Sequence, residues 1–234
     1  MIPLLAYPAL NRPDLLARSI ASIDHPVEHL LVIDNSGTGG IADGIEPPDL
    51  VRHYFVAEQP ANLGFGGSIN YAIKAYIDQP WWVIANIDTL LGPGDLERLA
   101  AEMEKPGPRM VGIVDWRVFG ENFAFLEAVG WWDENYHPAY VEDVDIEYRA
   151  RLAGVPQYVI DGTTSHVGSV CYADGGNPNR RHNERTYPAN RAYHVAKWGG
   201  DIRGGETYST PFNRGGSIRD WTLDPKRLRD HQWR

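Results

Sequence analysis

Cysteine is almost missing from this 234-residue sequence, in which Cys171 stands alone. A single cysteine cannot form an intramolecular disulfide, so a secreted scaffold held together by disulfides is excluded. A zinc site built from several cysteines is excluded for the same reason. The composition is compatible with a reducing compartment, and we expect a cytoplasmic protein.

Long apolar runs and clusters of basic residues are also missing. No stretch approaches the roughly 20 apolar residues that cross a bilayer, so no membrane span is expected. The apolar run at 2–7 is too short for a secretion signal, and no basic residues precede it. Since the net charge is −9 and no Lys/Arg-rich run occurs, neither nucleic acid nor an anionic membrane is an expected partner.

What the sequence does contain is a repeated order of short apolar run, polar turn and helical pattern. Strands are predicted at 2–7, 29–33, 51–57 and 81–85, with helices at 13–23, 68–77 and 94–104. This alternation predicts an α/β fold with a mostly parallel sheet that carries helices on both faces. Short strands within 110–125 continue the sheet in mixed direction.

The length fits one catalytic domain with an extension rather than two full domains. We predict a domain over 1–168 and an extension over 169–234 that packs on it. The extension is rich in Gly, Pro, Asn and Arg, and 187–197 is its one predicted helix. Its composition suits either a lid over the site or a packing extension that wraps the domain or joins two copies, so a homodimer is compatible with the sequence.

The segment 128–154 carries the most informative pattern. Apolar residues at helical spacing between 141 and 152, followed by Gly154, predict a helix whose first turn holds Glu142 and Asp143. The helix dipole favours charges there, and such a carboxylate can take a proton from a hydroxyl. A solvated acidic helix face is the alternative interpretation, but such a face does not require the aromatic and glycine pattern that comes before it.

Two adjacent tryptophans, Trp131 and Trp132, precede this helix. Aromatic faces stack on sugar rings, although large aromatic side chains near a helix are more often part of the core. We expect one indole to face inward and the other to face an acceptor.

A glycine-rich turn at 62–70 opens another predicted helix and suits close approach of the backbone to a phosphate or a sugar. A dinucleotide-binding motif would need a third glycine at position 69, which is Ile69. The turn also does not follow the first strand. The dinucleotide interpretation is therefore rejected.

Polar residues follow the predicted strands at the edge where ligands bind in parallel sheets. Asp34 ends the second strand, where an Asx-turn is the structural alternative. Asn86 and Asp88 end the fourth strand, and period-two geometry places them on one face. A divalent cation could bind at Asp88, because Mg²⁺ and Mn²⁺ take oxygen ligands; a cap on the turn is the alternative.

Together these motifs resemble family 2 glycosyltransferases with the GT-A (Rossmann-like) fold. The resemblance covers residues 2 to about 168 and rests on Gly130, Asp133, Glu134, Glu142, Asp143, Asp145, Arg149 and Gly154 in the family order. The loop 62–70 is similar to that of the rhamnosyl- and galactofuranosyl-like branch. The segments 191–200 and 210–212 are similar to tails of small bacterial and phage members.

The resemblance implies an inverting enzyme that moves a sugar from a UDP-, dTDP- or GDP-linked donor to an acceptor hydroxyl, such as that of a carbohydrate. It implies Asp143 as the base beside Glu142, and Mn²⁺ or Mg²⁺ held by Asp88 and by His166, which matches a family histidine. Nucleotide-sugar contacts are implied for Ala6, Tyr7, Pro8, Asp34, Asn62, Gly64, Phe65, Gly66, Gly67, Asn70 and Asn86. Tyr7 and Pro8 depart from the family's Pro-Thr-Tyr order, and Asn86 replaces an acid.

Two other functions remain open at this point. A sugar nucleotidyltransferase would share the sheet and the metal, but it would need a Gly-rich, Arg-containing loop after the first strand, which this chain lacks. A non-catalytic nucleotide-sugar or carbohydrate-binding module of the same fold is compatible with Asn86.

Overall fold

The computed structural model describes residues 1–166 and 178–219, the side chains of 178–185 excepted. The helices are α1 (Pro13–Ala21), α2 (Gly64–Ala75), α3 (Asp95–Met103), α4 (Phe123–Val129), α5 (Glu142–Leu152) and α6 (Pro178–Trp198). The strands are β1 (Ile2–Ala9), β2 (Val27–Asp34), β3 (Val51–Glu58), β4 (Trp81–Ala85), β5 (Thr89–Leu90), β6 (Met110–Ile113), β7 (Asp115–Asn122), β8 (Gln157–Ile160) and β9 (Ser165–His166). The predicted boundary between 168 and 169 lies outside the described residues.

Seven strands form one sheet in the order β3-β2-β1-β4-β7-β6-β8. The β1–β2, β2–β3, β1–β4 and β6–β8 pairs are parallel, whereas β7 runs antiparallel to both β4 and β6. The parallel half follows from the strand–helix alternation of the first 85 residues, since a parallel neighbour needs a crossover connection. The mixed α/β sheet and the change of direction within 110–125 are confirmed.

Helices cover both faces of the sheet, as predicted. On one face, apolar side chains of α1 and α3, including Leu16 and Leu99, pack against β1, β2 and β4. On the other face, α2, α4 and α5 contribute side chains that include Ile73, Phe125 and Ile146. Because alternate strand residues point to opposite faces, each core takes every second residue of a central strand.

The element boundaries depart from the predictions in three places. The helix α2 begins at Gly64 rather than 68, because the glycine-rich turn is itself the first helical turn. The helix α4 was not predicted; its start is capped by Asn122, whose side chain accepts from the Phe125 N–H. The helix α6 begins at 178 rather than 187 and contains Pro188, which hides its continuity from a reading of sequence pattern.

A second sheet consists of β5 and β9 alone, two residues each. The two strands pair antiparallel, with Thr89 opposite His166. This short pairing joins the chain after β4 to the chain after β8. It thereby brings Thr89 and His166 together, although they lie far apart in the sequence.

Candidate active site

The carboxyl end of β2 is closed by Asp34, which is buried. Its carboxylate accepts the N–H groups of Ser36 and Ile41 at 2.8 and 3.1 Å. Burial alone would raise the pKa of Asp34, but hydrogen bonds from these two residues hold it below its usual value. The carboxylate shapes the loop after β2 and exposes no surface to a base or ribose. The Asx-turn alternative therefore describes the hydrogen bonding of this side chain, and the expected nucleotide contact of Asp34 stays a prediction.

The end of β1 is likewise more buried than expected. Ala6 and Tyr7 have no exposed surface, and the Tyr7 hydroxyl accepts from Ser19 Oγ at 3.1 Å inside the core. Burial raises the pKa of the Tyr7 phenol well above its usual value. Strand alternation turns these two side chains into the two cores. The nucleotide contacts implied for Ala6 and Tyr7 stay a prediction. Pro8 is partly exposed, and its contact stays a prediction.

A hydrogen bond joins the glycine-rich loop to the residues that precede α5. The Phe65 N–H donates to the Pro138 carbonyl at 2.6 Å, and Asn62 Oδ1 accepts from the Gly64 N–H at 2.8 Å. Gly64 has φ +76°, and a Cβ there would lie 2.9 Å from both His137 and Pro138. Only glycine fits this position without displacement.

Asn70, in the helix α2 that begins at this loop, forms a second contact, with Trp132. Asn70 accepts from the Trp132 N–H at 3.1 Å and donates to the Trp132 carbonyl at 2.8 Å. A Cβ on Gly66 would lie 3.6 Å from Trp132, so the absence of a side chain leaves ordinary contact distance there. Asn70 therefore has a structural role. The nucleotide-sugar contacts implied for Asn62, the loop glycines, Phe65 and Asn70 remain a prediction.

Asp88 and His166, the two expected metal ligands, are brought together. Asp88 Oδ2 lies 2.8 Å from His166 Nε2, and both side chains are only slightly exposed. The hydroxyl of Thr89 is buried beside them without a hydrogen-bond partner among the described residues. Asn86, two residues before Asp88, is partly exposed, and its N–H donates to the Arg117 carbonyl at 2.8 Å. Asp88, Thr89 and His166 therefore lie together, and their metal-binding role stays a prediction.

Asp95 anchors the segment that leads to His166. Its Oδ2 accepts the N–H groups of Thr163 and Thr164 at 2.9 and 2.6 Å, and the carboxylate also pairs with Arg98. The side chain of Asp95 is fully buried. Sequence reasoning missed this residue, since an acidic residue in the first turn of a helix ordinarily serves the helix alone.

The helix α5 starts at a strained backbone. Tyr140 and Val141 have φ of +79° and +78°, which is rare for residues with a side chain and most unusual for a β-branched one. Asn190 of α6 donates to the Ala139 and Tyr140 carbonyls at 2.9 and 3.0 Å. Asn190, on α6, therefore holds the residues before α5 in this strained conformation.

The two carboxyl groups at the start of α5 have different surroundings. Glu142 is buried and its Oε2 has no hydrogen-bond partner in the described part of the chain, whereas Asp143 is partly exposed. Burial and the neighbouring Asp143 charge raise the pKa of Glu142 well above its usual value. The pKa of Glu147 is raised by the same two causes. The surroundings of Glu142 therefore favour its protonated form.

Asp145 lies one turn inside α5 and is the centre of a buried charge network. Its oxygens accept from Lys197 Nζ and Trp198 Nε1 at 2.7 Å and from Arg149 Nε at 2.9 Å. Burial alone would raise the pKa of Asp145, but the charges of Lys197 and Arg149 lower it well below its usual range. Lys197 also donates to Asp133 at 2.7 Å. Sequence reasoning missed Lys197, because no local pattern links it to a partner some fifty residues away.

Both tryptophans before α5 belong to the interior. Trp131 and Trp132 are 3% and 2% exposed, and the expectation that one indole faces an acceptor stays a prediction. Trp132 Nε1 donates to both oxygens of Glu121 at 3.2 Å, and burial raises the pKa of that carboxyl to about 7. The two indoles also border a cavity of about 270 Å³ that Lys74 helps to line.

The fold and these motifs agree with what is known of related proteins. The model of glycosyl transferase family 2 matches residues 5–150, and the chain belongs to this family. Its mixed, mostly parallel sheet is that of the GT-A fold. No curated protein matches the chain significantly. Among the described residues, no helix is both long and apolar enough to cross a membrane.

Solved structures show the same fold. S. aureus TarS 1–349 aligns with TM-score 0.53 and 15% identity over 68% of this chain and 58% of that chain. S. aureus TarS gives 0.51 and 16% over 69% and 35%. TarS 1–349 in complex with UDP-GlcNAc gives 0.39 and 19% over 48% and 34%. The chain therefore spans little more than half of the first of these proteins and about a third of the other two.

Proposed function

We propose that this glycosyltransferase moves a sugar from a nucleoside diphosphate sugar to an acceptor hydroxyl, with inversion at the anomeric carbon. The observation that carries the proposal is the contact of Asp88 with His166 at the carboxyl edge of the sheet. Two positions named by family resemblance lie far apart in the chain, and the fold joins them at 2.8 Å. The match of the loop 62–70 favours the rhamnosyl- and galactofuranosyl-like branch.

Asp143 is the base in this proposal. It is partly exposed at the start of α5, where the helix dipole favours a negative charge. The neighbouring Glu142 is buried, and burial raises its pKa, which makes it a poorer candidate for the base than Asp143. Asp143 takes the proton of the attacking hydroxyl as the new bond forms, which is general-base catalysis. A single displacement of this kind inverts the configuration.

Asp88 and His166 would hold a divalent cation, Mn²⁺ or Mg²⁺. One carboxylate and one imidazole suit Mn²⁺, and such ions usually complete their shell with substrate phosphates and water. When bound, the cation would neutralise the charge of the departing diphosphate.

The base assignment is tested with two neighbouring amide substitutions. Asp143→Asn should retain donor binding and lose turnover by a factor on the order of 10² to 10⁴. Glu142→Gln should be much milder, because glutamine resembles the neutral acid already present. Asp49→Asn, at an exposed position, is the matched control. Near wild-type turnover in Asp143→Asn, or a product that keeps the donor's anomeric configuration by NMR, would contradict the proposal.

The metal assignment needs a binding measurement. UDP-, dTDP- and GDP-linked sugars are screened by thermal shift with Mn²⁺, and UDP-GlcNAc, the ligand of the TarS complex, is included. Asp88→Ala should weaken binding of the preferred nucleotide far more in Mn²⁺ than in EDTA. Equal weakening under both conditions would mean that Asp88 only caps the turn.

We also propose that 169–234 is part of the same unit and completes the acceptor side. The support is α6, whose Asn190 and Lys197 contact the start and first turns of the catalytic helix. Truncation after Gly168 should abolish transfer and lower the melting temperature. Unchanged stability and transfer in the truncated protein would refute this arrangement.

A further inference from the structure

The helix α5 is open to solvent along one stripe. Within 142–150, Asp143 and Glu147 are partly exposed and the other residues are buried, and Arg151 is exposed one turn further on. These three positions follow at intervals of four residues, so their side chains lie above one another on one face of the helix. The proposed base Asp143 is therefore at one end of a polar stripe that continues over Glu147.

Trp116 lies in a bulge of β7 at the carboxyl edge of the sheet. The register between β6 and β7 shifts after Gly112, and residues 116–118 are extra on β7. β-Bulges redirect side chains and are common beside active sites. The Arg117 carbonyl accepts the Asn86 N–H at 2.8 Å, which fixes the bulge next to the end of β4.

The indole of Trp116 is held between β6 and α5. A Cβ on Gly112 would lie 3.0 Å from Trp116 Cε3 and 2.4 Å from the Asp115 carbonyl oxygen, so only glycine lets β7 pack this closely. On the helix side, burial and the Asp143 charge raise the pKa of Glu147, and a hydrogen bond from the Trp116 side chain acts against them. Part of the Trp116 side chain stays exposed. A tryptophan fixed in this way offers a large contact surface at a low cost in conformational entropy.

An exposed indole next to a carboxyl group suits a sugar ring. The C–H groups of the ring can pack on the aromatic surface, and the carboxyl group can hydrogen-bond to the ring hydroxyls. The charges around Glu147 come from Asp143 and from Arg203 and Arg151. Because two acids are matched by two arginines, the site favours a neutral ligand over an anion.

We propose that Trp116 and Glu147 form an acceptor subsite, in which a neutral sugar ring stacks on the indole and hydrogen-bonds to Glu147. The inference rests on the proposed transfer reaction, since it places the acceptor on the stripe that begins at Asp143. One helical turn, about 5.4 Å, separates Glu147 from Asp143, so a hydroxyl of the stacked sugar can reach the base.

Fluorine NMR of protein labelled with 5-fluorotryptophan tests the stacking without requiring transfer. The Trp116 resonance is assigned by its loss in Trp116→Phe. The probes are the methyl glycosides of glucose, galactose, rhamnose and N-acetylglucosamine, and sorbitol is the control because it is a polyol without a ring. We expect a saturable shift of the Trp116 resonance with at least one glycoside and none with sorbitol. A resonance that no glycoside moves, or that sorbitol moves equally, would overturn the proposal.

Transfer kinetics with the glycoside that binds most tightly provide the second test. Trp116→Ala should raise the acceptor KM roughly two- to tenfold, the effect of losing one aromatic stacking contact, and leave the donor KM unchanged. Glu147→Gln should have a smaller effect, because the amide keeps an acceptor for the indole. Tyr71→Ala, which removes an exposed aromatic side chain from α2, should change neither constant. An unchanged acceptor KM in Trp116→Ala, or an equal rise of both constants, would contradict a subsite for the acceptor.

The two tests distinguish this inference from the proposed function. If the wild type transfers sugar from no nucleotide sugar, the proposed function fails, and the fluorine titration still decides whether Trp116 binds a sugar ring. If the wild type transfers sugar but Trp116 neither responds to glycosides nor affects the acceptor KM, only the acceptor subsite is refuted.

Discussion

The two sides of the active site are held by different kinds of interaction. We define the proposed donor side as β1–β5 with β9, and it is held mainly by hydrogen bonds of the main chain. The Asp34 carboxylate accepts two backbone N–H groups, and the pairing of β9 with β5 positions His166. On the acceptor side, which we define as 131–152 with α6, a buried cluster of charges centred on Asp145 joins the elements. The donor side should therefore tolerate single charge changes better than the acceptor side.

The largest effect is expected from Lys197→Met. This change removes the ammonium from the buried Asp145 and from Asp133, which is partly exposed, and breaking a buried ion pair such as Lys197–Asp145 costs about 3–5 kcal/mol. The free energy of unfolding is measured in urea. Lys105→Met, at an exposed position, should change it by less than about 0.5 kcal/mol. A Lys197 variant as stable as this control would mean that the acceptor side does not depend on the network.

The same contrast explains how much the sequence could predict. On the donor side, strand and helix periodicity sufficed for β1 to β4, and family spacing sufficed for Asp88 with His166. Neither signal predicted that Tyr7 and Asp34 are buried. Periodicity gives the face of a strand on which a side chain lies, but not whether a neighbouring helix or loop covers the end of that strand. Both side chains are buried by chain that follows them, as the contacts with Ser19 and Ile41 show.

On the acceptor side, the start of α5 was predicted because its pattern is local. The partners of that helix were not, since Lys197 and Asn190 meet it only through the tertiary fold. The expectation that one of Trp131 and Trp132 faces an acceptor rests on residue type alone, which does not distinguish a residue that stacks on a sugar from a core residue. Local pattern thus predicted which residues are present at the site, and long-range packing decided which are exposed.

Glu121→Gln tests whether the buried wall behind Trp132 sets the response to pH. Burial raises the pKa of Glu121 from 4.5 to about 7, so the folded protein holds this proton more tightly than the unfolded chain. Its contribution to stability is complete below pH 4.5 and is lost as the pH rises through about 7, a loss of about 3 kcal/mol. The Glu121→Gln variant should not show this loss, so its free energy of unfolding should rise relative to that of the wild type between pH 4.5 and 8.

The measurement is the unfolding free energy of both proteins across that range. Glu104→Gln, at an exposed site, should follow the wild-type curve. Parallel curves for the Glu121 variant and the wild type would show that this carboxyl titrates alike in both states.

Asp95→Asn probes the carboxylate that anchors the segment before His166, next to the donor side. Asparagine can accept fewer of the bonds from Thr163 and Thr164, so the segment before His166 should loosen. Loss of such a supporting group typically weakens metal binding 10- to 100-fold. Manganese affinity is measured by the electron paramagnetic resonance of free Mn²⁺, and amide exchange of Thr163 and Thr164 reports the loosening without metal. Glu97→Gln, exposed on the same helix, is the control. Faster exchange with unchanged affinity would separate Asp95 from the metal corner.

The smallest effect is expected from Asn190→Ala, which removes the side-chain clamp on the strained residues before α5. Two hydrogen bonds to the Ala139 and Tyr140 carbonyls disappear, and the expected cost is about 1 kcal/mol of unfolding free energy. Because the positive φ of Tyr140 and Val141 needs outside support, the start of the catalytic helix should relax, and turnover should fall by more than donor binding does. Asn190→Asp keeps an acceptor but loses the donor and should behave like alanine. If either variant turns over at the wild-type rate, the strain at 140–141 is supported by the rest of the fold and α6 has no part in aligning Asp143.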